Sequence, residues 1–225
     1  DLHSFPTRRS SDLHSPLLHG DICLRFDGVD LLPTVILFVG VLIQSSAEEL
    51  ACRVFMYQRL RGAYACPAVA LVGNPALFAV LHLMNRGVTA LSVLNIFLVG
   101  LLFSMCVYYF NSFWMVAAIH TSWNFTQNIL LGLPNSGNVV PFSIFKLEGA
   151  ADSLAYNVGF GIEGTALACV VLVAACVCVY VVGQRVGRHA AGDAVRISTC
   201  ESTDGQVAGE LADECGQSSS GDEIG

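Results

Sequence analysis

The sequence predicts an all-α fold, a polytopic transmembrane helix bundle, and three observations predict it. Hydrophobic residues make up 54% of the 225-residue chain and charged residues 13%, against ~25% charge in an ordinary soluble domain. Mean hydropathy is +0.60. The apolar residues fall in runs close to the ~20 residues with which a helix crosses ~30 Å of hydrocarbon. Such a chain cannot clothe itself in a hydrated surface, which excludes a soluble α/β enzyme and makes the lipid bilayer its expected medium. Lys+Arg number 11 against 18 Asp+Glu, for a net charge of −7. With no basic stripe, nucleic acid is excluded as a main partner.

The chain divides into four stretches. Residues 1–13, DLHSFPTRRSSDL, resemble the translation of a widely used sequencing adapter and are set apart from fold reasoning. The expectation is then that the native N-terminus, and upstream spans with it, are missing. Residues 14–30 form a pre-membrane segment and residues 31–183 the bundle. Residues 184–225 are rich in Gly, Ser, Asp and Glu and, past 190, almost free of aromatics. They cannot bury enough apolar surface to offset ordering entropy, and they predict a disordered acidic cytoplasmic tail. Cys52, Cys66, Cys106, Cys169, Cys176 and Cys178 lie in or beside apolar runs and are expected as small buried hydrophobes. No CxxC pair suggests a zinc knuckle. Cys200 and Cys215, in the tail, are expected to be free thiols in a reducing compartment.

Five spans are visible in the bundle. Span A covers about 31–50 and span B about 66–84. No formal charge occurs from Gly87 to Phe145, too long a run for one helix, and Asn111-Ser112 is its natural break. That gives span C at about 88–110 and span D at about 112–132. Span E covers about 164–183. Residues 133–163, a polar stretch with Gly, Pro and Asn, are expected to connect helices, with gating of a site as the lesser reading. Arg53, Arg59 and Arg61 follow span A, and Arg185, Arg188 and Arg196 follow span E, all on one side. Arg86 and Lys146 fall on the other, so the first side is expected to be cytoplasmic.

Polar residues inside the spans carry the functional signal. A charge near the bilayer centre costs ~2.5–3.5 kcal/mol even on a lenient insertion scale, so it usually has work to do. Glu49 and Arg53 are i and i+4 with the acid N-terminal, the favourable order for a pair. Glu48 points about 100° away on the helix, without an obvious local partner. That suits a structural Glu49–Arg53 pair and a free, functional Glu48; interfacial snorkelling is the plain alternative. His82 follows Phe78 at i+4. His120 and Asn124 are also i and i+4 and share one face of span D, where they could equally be interhelical hydrogen-bonding glue. Together, a glutamate, two histidines and an asparagine on three spans suffice for hydrolysis. A carboxylate in a low-dielectric site can serve as general base on water. One His can orient that water, and a second His with an Asn amide can donate to an oxyanion.

The ordered trio EExxxR, FxxxH and HxxxN, on successive apolar segments over about residues 31–183, resembles the CPBP family (CAAX proteases and bacteriocin-processing enzymes). The resemblance implies an intramembrane endopeptidase related to the Ras-converting CAAX endopeptidase. Glu48 would be the catalytic glutamate and His82 its partner. His120 and Asn124 would form the oxyanion site, and Glu49 and Arg53 would complete the first motif. It implies a peptide or protein substrate, which could be membrane-anchored, and a multi-pass location in a bacterial plasma membrane. No cofactor is favoured. Zn2+ held by Glu48, His82 and His120 is the alternative, although the HExxH signature is absent. Transport, proton relay or scaffolding are readings from other classes, and no internal repeat favours transport. After the paired glutamates many members carry a large apolar residue and then Phe-Arg-Gly, where this chain has Ala51-Cys52-Arg53-Val54.

The straight spans raise a conflict. At 1.5 Å per residue His82 lies ~24 Å from the cytoplasmic edge and His120 only ~12 Å, with Glu48 close to that edge. Either span A runs on past Arg53, or span B is broken or starts later, near Pro75.

Overall fold

The first helix resolves that conflict. In the computed structural model, which describes residues 15–17 and 22–186, helix α1 runs unbroken over Leu31–Ala63, 33 residues. Span A therefore continues well past Arg53. Charge alone ended the apolar run; no Gly or Pro interrupts the chain between Gly40 and Gly62. Over Leu50–Met56 the helix widens into π-helical turns, a local form that often adjoins functional sites. The chain reverses at residues 64–66, and α2 returns over Pro67–Met84. Pro67 opens it where a missing N–H is harmless. Pro75 lies inside α2 without ending it. Glu48 lies 15 residues before Ala63 and His82 15 residues after Pro67, so both sit ~22 Å from the turn.

Helix α3, Ala90–Phe110, is the central one: 44% of its most apolar window is buried, against 11% for α1. Thr89 and Ser92 cap it reciprocally, each side chain accepting from the other's backbone N–H. Asn111, left-handed at φ 48, ends it. Ser112 then caps α4, Phe113–Asn124, by accepting from the Met115 N–H. The break therefore falls at Asn111-Ser112, as expected. Helix α4 continues in π-helical turns over Phe125–Leu130. The last helix, α5, spans Ala166–Val186.

Among the described residues four helices, α1, α2, α3 and α5, are long and apolar enough to cross a membrane. Helix α4, in the place of span D, is shorter and more polar, carrying His120, Thr121, Asn124 and Gln127. Leu31, Ile36 and Ile43 on α1 and Val170 and Val177 on α5 are exposed, as suits lipid contact. The chain is an integral, multi-pass membrane protein. Residues through Tyr180 form one compact unit; the second begins at Val181 and is described as far as Val186.

Several local expectations are corrected. Residues 184–186 are helical rather than tail. Arg53 is 1% exposed, so it belongs to the bundle interior and not to a basic loop. Cys52 and Cys106 are buried, but Cys66 and Cys178 are exposed, one beside the α1–α2 turn and one on α5. The adapter-like residues 1–13, His14, His19, Arg188, Arg196, Cys200, Cys215 and the tail beyond 186 lie outside the described residues.

A small antiparallel sheet adds to the helices, in the order β1 (Ser15–Leu17), β2 (Ile22–Phe26), β3 (Phe145–Ala150). It joins the pre-membrane segment to the stretch expected as a loop. Leu24 pairs with Leu147 and Phe26 with Phe145. Ile22 and Leu24 are buried with Leu133 and Tyr156, while Arg25 ion-pairs outward with Glu148 and Asp27. Burial pushes the Tyr156 phenol up to about 12. The Lys146 ammonium, hydrogen-bonded to Asp27, holds that carboxyl below its ordinary 3.8. A lowered carboxyl pKa stabilises the fold above the unfolded value and loses that effect as pH falls through the folded one. Protection factors of the β2 and β3 amides, corrected for intrinsic exchange, should therefore fall below about pH 4, and Asp27→Asn should weaken that acid dependence.

Asn135 and Asn138 exchange backbone hydrogen bonds of 2.9 Å. Between them Ser136 (φ 47) and Gly137 (φ 81) are both left-handed, as a two-residue hairpin turn requires. A Cβ on Gly137 would collide with the Arg86 carbonyl oxygen. Gly137→Ala should cost at least about 2 kcal/mol, from backbone strain and the clash, read as a lower melting temperature in detergent.

Candidate active site

Helix α1 carries two adjacent polar faces, one buried in the bundle and one more open. One stacks Ser45, Glu49 and Arg53, all buried. The other stacks Gln44 and Glu48, with the Gln44 Nε2 donating to Glu48 Oε1 at 3.1 Å. Glu48 therefore has a local partner, at i−4. Its side chain keeps 33% exposure where that of Glu49 has none. One carboxylate is sealed and the other is reachable.

Arg53 Nη1 donates to Glu49 Oε1 at 3.2 Å. Its Nε stands 3.2 Å from Oε2, close enough for an ion pair but out of line for a hydrogen bond. Nη2 donates to the Gly100 carbonyl of α3 at 3.4 Å. The guanidinium also lies over the rings of Phe78 (4.5 Å) and Phe103 (5.2 Å), a cation–π arrangement that favours a desolvated Arg. One buried ion pair thus ties α1 to α2 and α3.

Helix α4 joins through the same carboxylate. His120 Nδ1 is 2.8 Å from Glu49 Oε1. An ionised carboxylate only accepts, so Nδ1 carries the proton. Nε2 then faces Glu48 Oε2 at 3.9 Å. Two atoms at that distance can share one water at ~2.8 Å from each. One turn along, Asn124 Nδ2 donates to Ser45 Oγ at 3.3 Å, and Asn124 Oδ1 accepts from Asn135 Nδ2 at 2.7 Å. Asn124 and His120 are both buried.

His82 is placed differently. It begins the tight last turn of α2, with Nδ1 2.8 Å from the Phe78 carbonyl oxygen and its ring 4.5 Å from that of Phe78. Among the described residues no hydrogen bond joins it to Glu48, Glu49 or His120; the Phe78 ring touches both it and the Arg53 guanidinium. Glu48, Glu49, Arg53, His120 and Asn124 are therefore brought together, and His82 stands beside them. Among the described residues no group of three or more His, Cys, Asp or Glu side chains is placed to hold a metal ion. Glu48, His82 and His120 do not converge as a zinc set.

Sequence reasoning missed Gln44, Ser45 and Phe103, and placed Asn135 only in the connecting stretch 133–163. The first two were legible, each lying four residues before a site glutamate on α1. Phe103 and Asn135 reach the site through tertiary packing alone.

A family model described as Type II CAAX prenyl endopeptidase Rce1-like matches residues 30–126. That segment holds Glu48, Glu49, Arg53, His82, His120 and Asn124. No curated protein and no solved structure matches the chain.

Proposed function

We propose that the chain is an endopeptidase working within the membrane by glutamate-activated water, a reading supported by the match of residues 30–126 to the Rce1-like type II CAAX prenyl endopeptidase family model. The observation that carries this is the reachable Glu48 carboxylate, 3.9 Å from His120 Nε2, beside a sealed Glu49–Arg53 pair that fixes the imidazole. Glu48 takes a proton from the shared water, and the water oxygen attacks the peptide carbonyl. Held through its Nδ1–H by Glu49, His120 accepts the water's other hydrogen at Nε2 and orients it, while the Asn124 amide donates to the developing oxyanion. The C–N bond then breaks, and Glu48 returns its proton to the leaving amine. His82, its Nδ1 engaged by the Phe78 carbonyl oxygen, is given no part in holding this water.

The substrate proposed is a peptide tethered to the bilayer, in a bacterial plasma membrane. Mass spectrometry of products formed from farnesylated CAAX peptides in 18O-water tests this. One internal cut, with one 18O in the new carboxyl, is expected. Trimming from a terminus, or product without 18O, contradicts it.

A further inference from the structure

The Asn124 amide has two unlike ends, and only one of them can stabilise an oxyanion. Turned one way it offers N–H; turned the other it offers an oxygen that repels negative charge. What selects the orientation is the partner of Oδ1, and that partner is Asn135, outside the family segment.

We infer that Asn135 is a positioning residue: by donating from Nδ2 to Asn124 Oδ1, it holds the Asn124 N–H toward the α1 face that carries the site. This rests on the reading of Asn124 as an oxyanion donor. The contact is 2.7 Å long and both residues are 7% exposed, so little water competes for either amide. Asn135 is itself held. Its backbone pairs with Asn138 in the left-handed turn and bridges to Gly161. The next residue, Ser136, donates from both N and Oγ to the Glu163 carboxylate. The same carboxylate accepts from Trp123 Nε1 and Gln127 Nε2, which flank Asn124 on α4. The turn is thus clasped to the helix whose side chain it orients.

The test is kcat and KM on an internally quenched farnesylated CAAX peptide, with melting temperatures for every variant. Asn135→Ala frees the Asn124 amide and should lower kcat about tenfold. Asn135→Asp offers only an acceptor, so Asn124 must turn its NH2 away from the site; kcat should fall about 100-fold with KM unchanged, as for loss of an oxyanion donor. A purely structural role predicts the opposite order, because Asp is closer to Asn in shape than Ala is. On an Asn124→Ala background, Asn135→Asp should add nothing, since both act on one group. A milder effect for Asp than for Ala in folded protein, or the same factor on the Asn124→Ala background, overturns the inference alone. Wild-type kcat in Asn124→Ala overturns it together with the oxyanion reading beneath it.

Discussion

Replacing Arg53 by Met should leave little folded protein. The side chains of Glu49 and Arg53 are both fully buried, so removing the cation strands a carboxylate away from water. Breaking a buried pair from one side costs ~3–5 kcal/mol, out of the ~5–15 kcal/mol that a typical fold has. The Gly100 carbonyl and the Phe78 and Phe103 rings lose their shared partner as well. The double variant Glu49→Gln with Arg53→Met removes both charges and should regain most of the stability. It should stay poorly active, because His120 Nδ1 then faces a neutral amide instead of a carboxylate. Gel filtration and melting temperature in detergent, followed by peptide cleavage, separate these outcomes. An Arg53→Met protein within about 1 kcal/mol of wild type would contradict the buried pair as the tie between α1, α2 and α3.

Glu48→Gln should do the reverse, with stability kept and catalysis lost. Glu48 is partly exposed and its hydrogen-bond partner is Gln44 on its own helix. The substitution alters only one approach between helices, the 3.9 Å one to His120 Nε2, and the melting temperature should stay within a few degrees. The amide cannot take a proton from water, and loss of general-base catalysis lowers kcat by ~10²–10⁴. Adjacent glutamates on one helix should thus give opposite phenotypes, because one faces the sealed interior and the other faces the reachable side.

The helices and much of the site were legible because each rests on local spacing. Glu49 with Arg53, and His120 with Asn124, are one turn apart, and that spacing alone puts each pair on a common face. What hydropathy obscured was the length of α1. Glu48, Glu49 and Arg53 look like the end of an apolar run, yet two of the three neutralise each other inside the bundle. The alternation of Ile22, Leu24 and Phe26, and of Phe145 and Leu147, was a period-2 strand signal, overshadowed by long apolar spans on either side. The bond between His120 and Glu49 spans 71 residues, and that between Asn95 Nδ2 and the Thr165 carbonyl spans 70. Such contacts depend on how helices assemble, which no local pattern specifies. The Asn135 contact has the same character: its turn is readable from Asn-Ser-Gly-Asn, but its seat against Asn124 is set by Glu163 and by the close approaches of Gly137 to the Arg86 carbonyl and of Gly161 to the Pro134 carbonyl.

Cleavage of one farnesylated CAAX peptide by wild type and Glu48→Gln, each with and without a zinc chelator, separates glutamate-activated water from a metal-bound one. Wild type should cleave equally with and without chelator, and Glu48→Gln should be folded and at least about 100-fold slower. Cleavage abolished by chelation and restored by zinc, or a Glu48→Gln protein as fast as wild type, would contradict the glutamate mechanism.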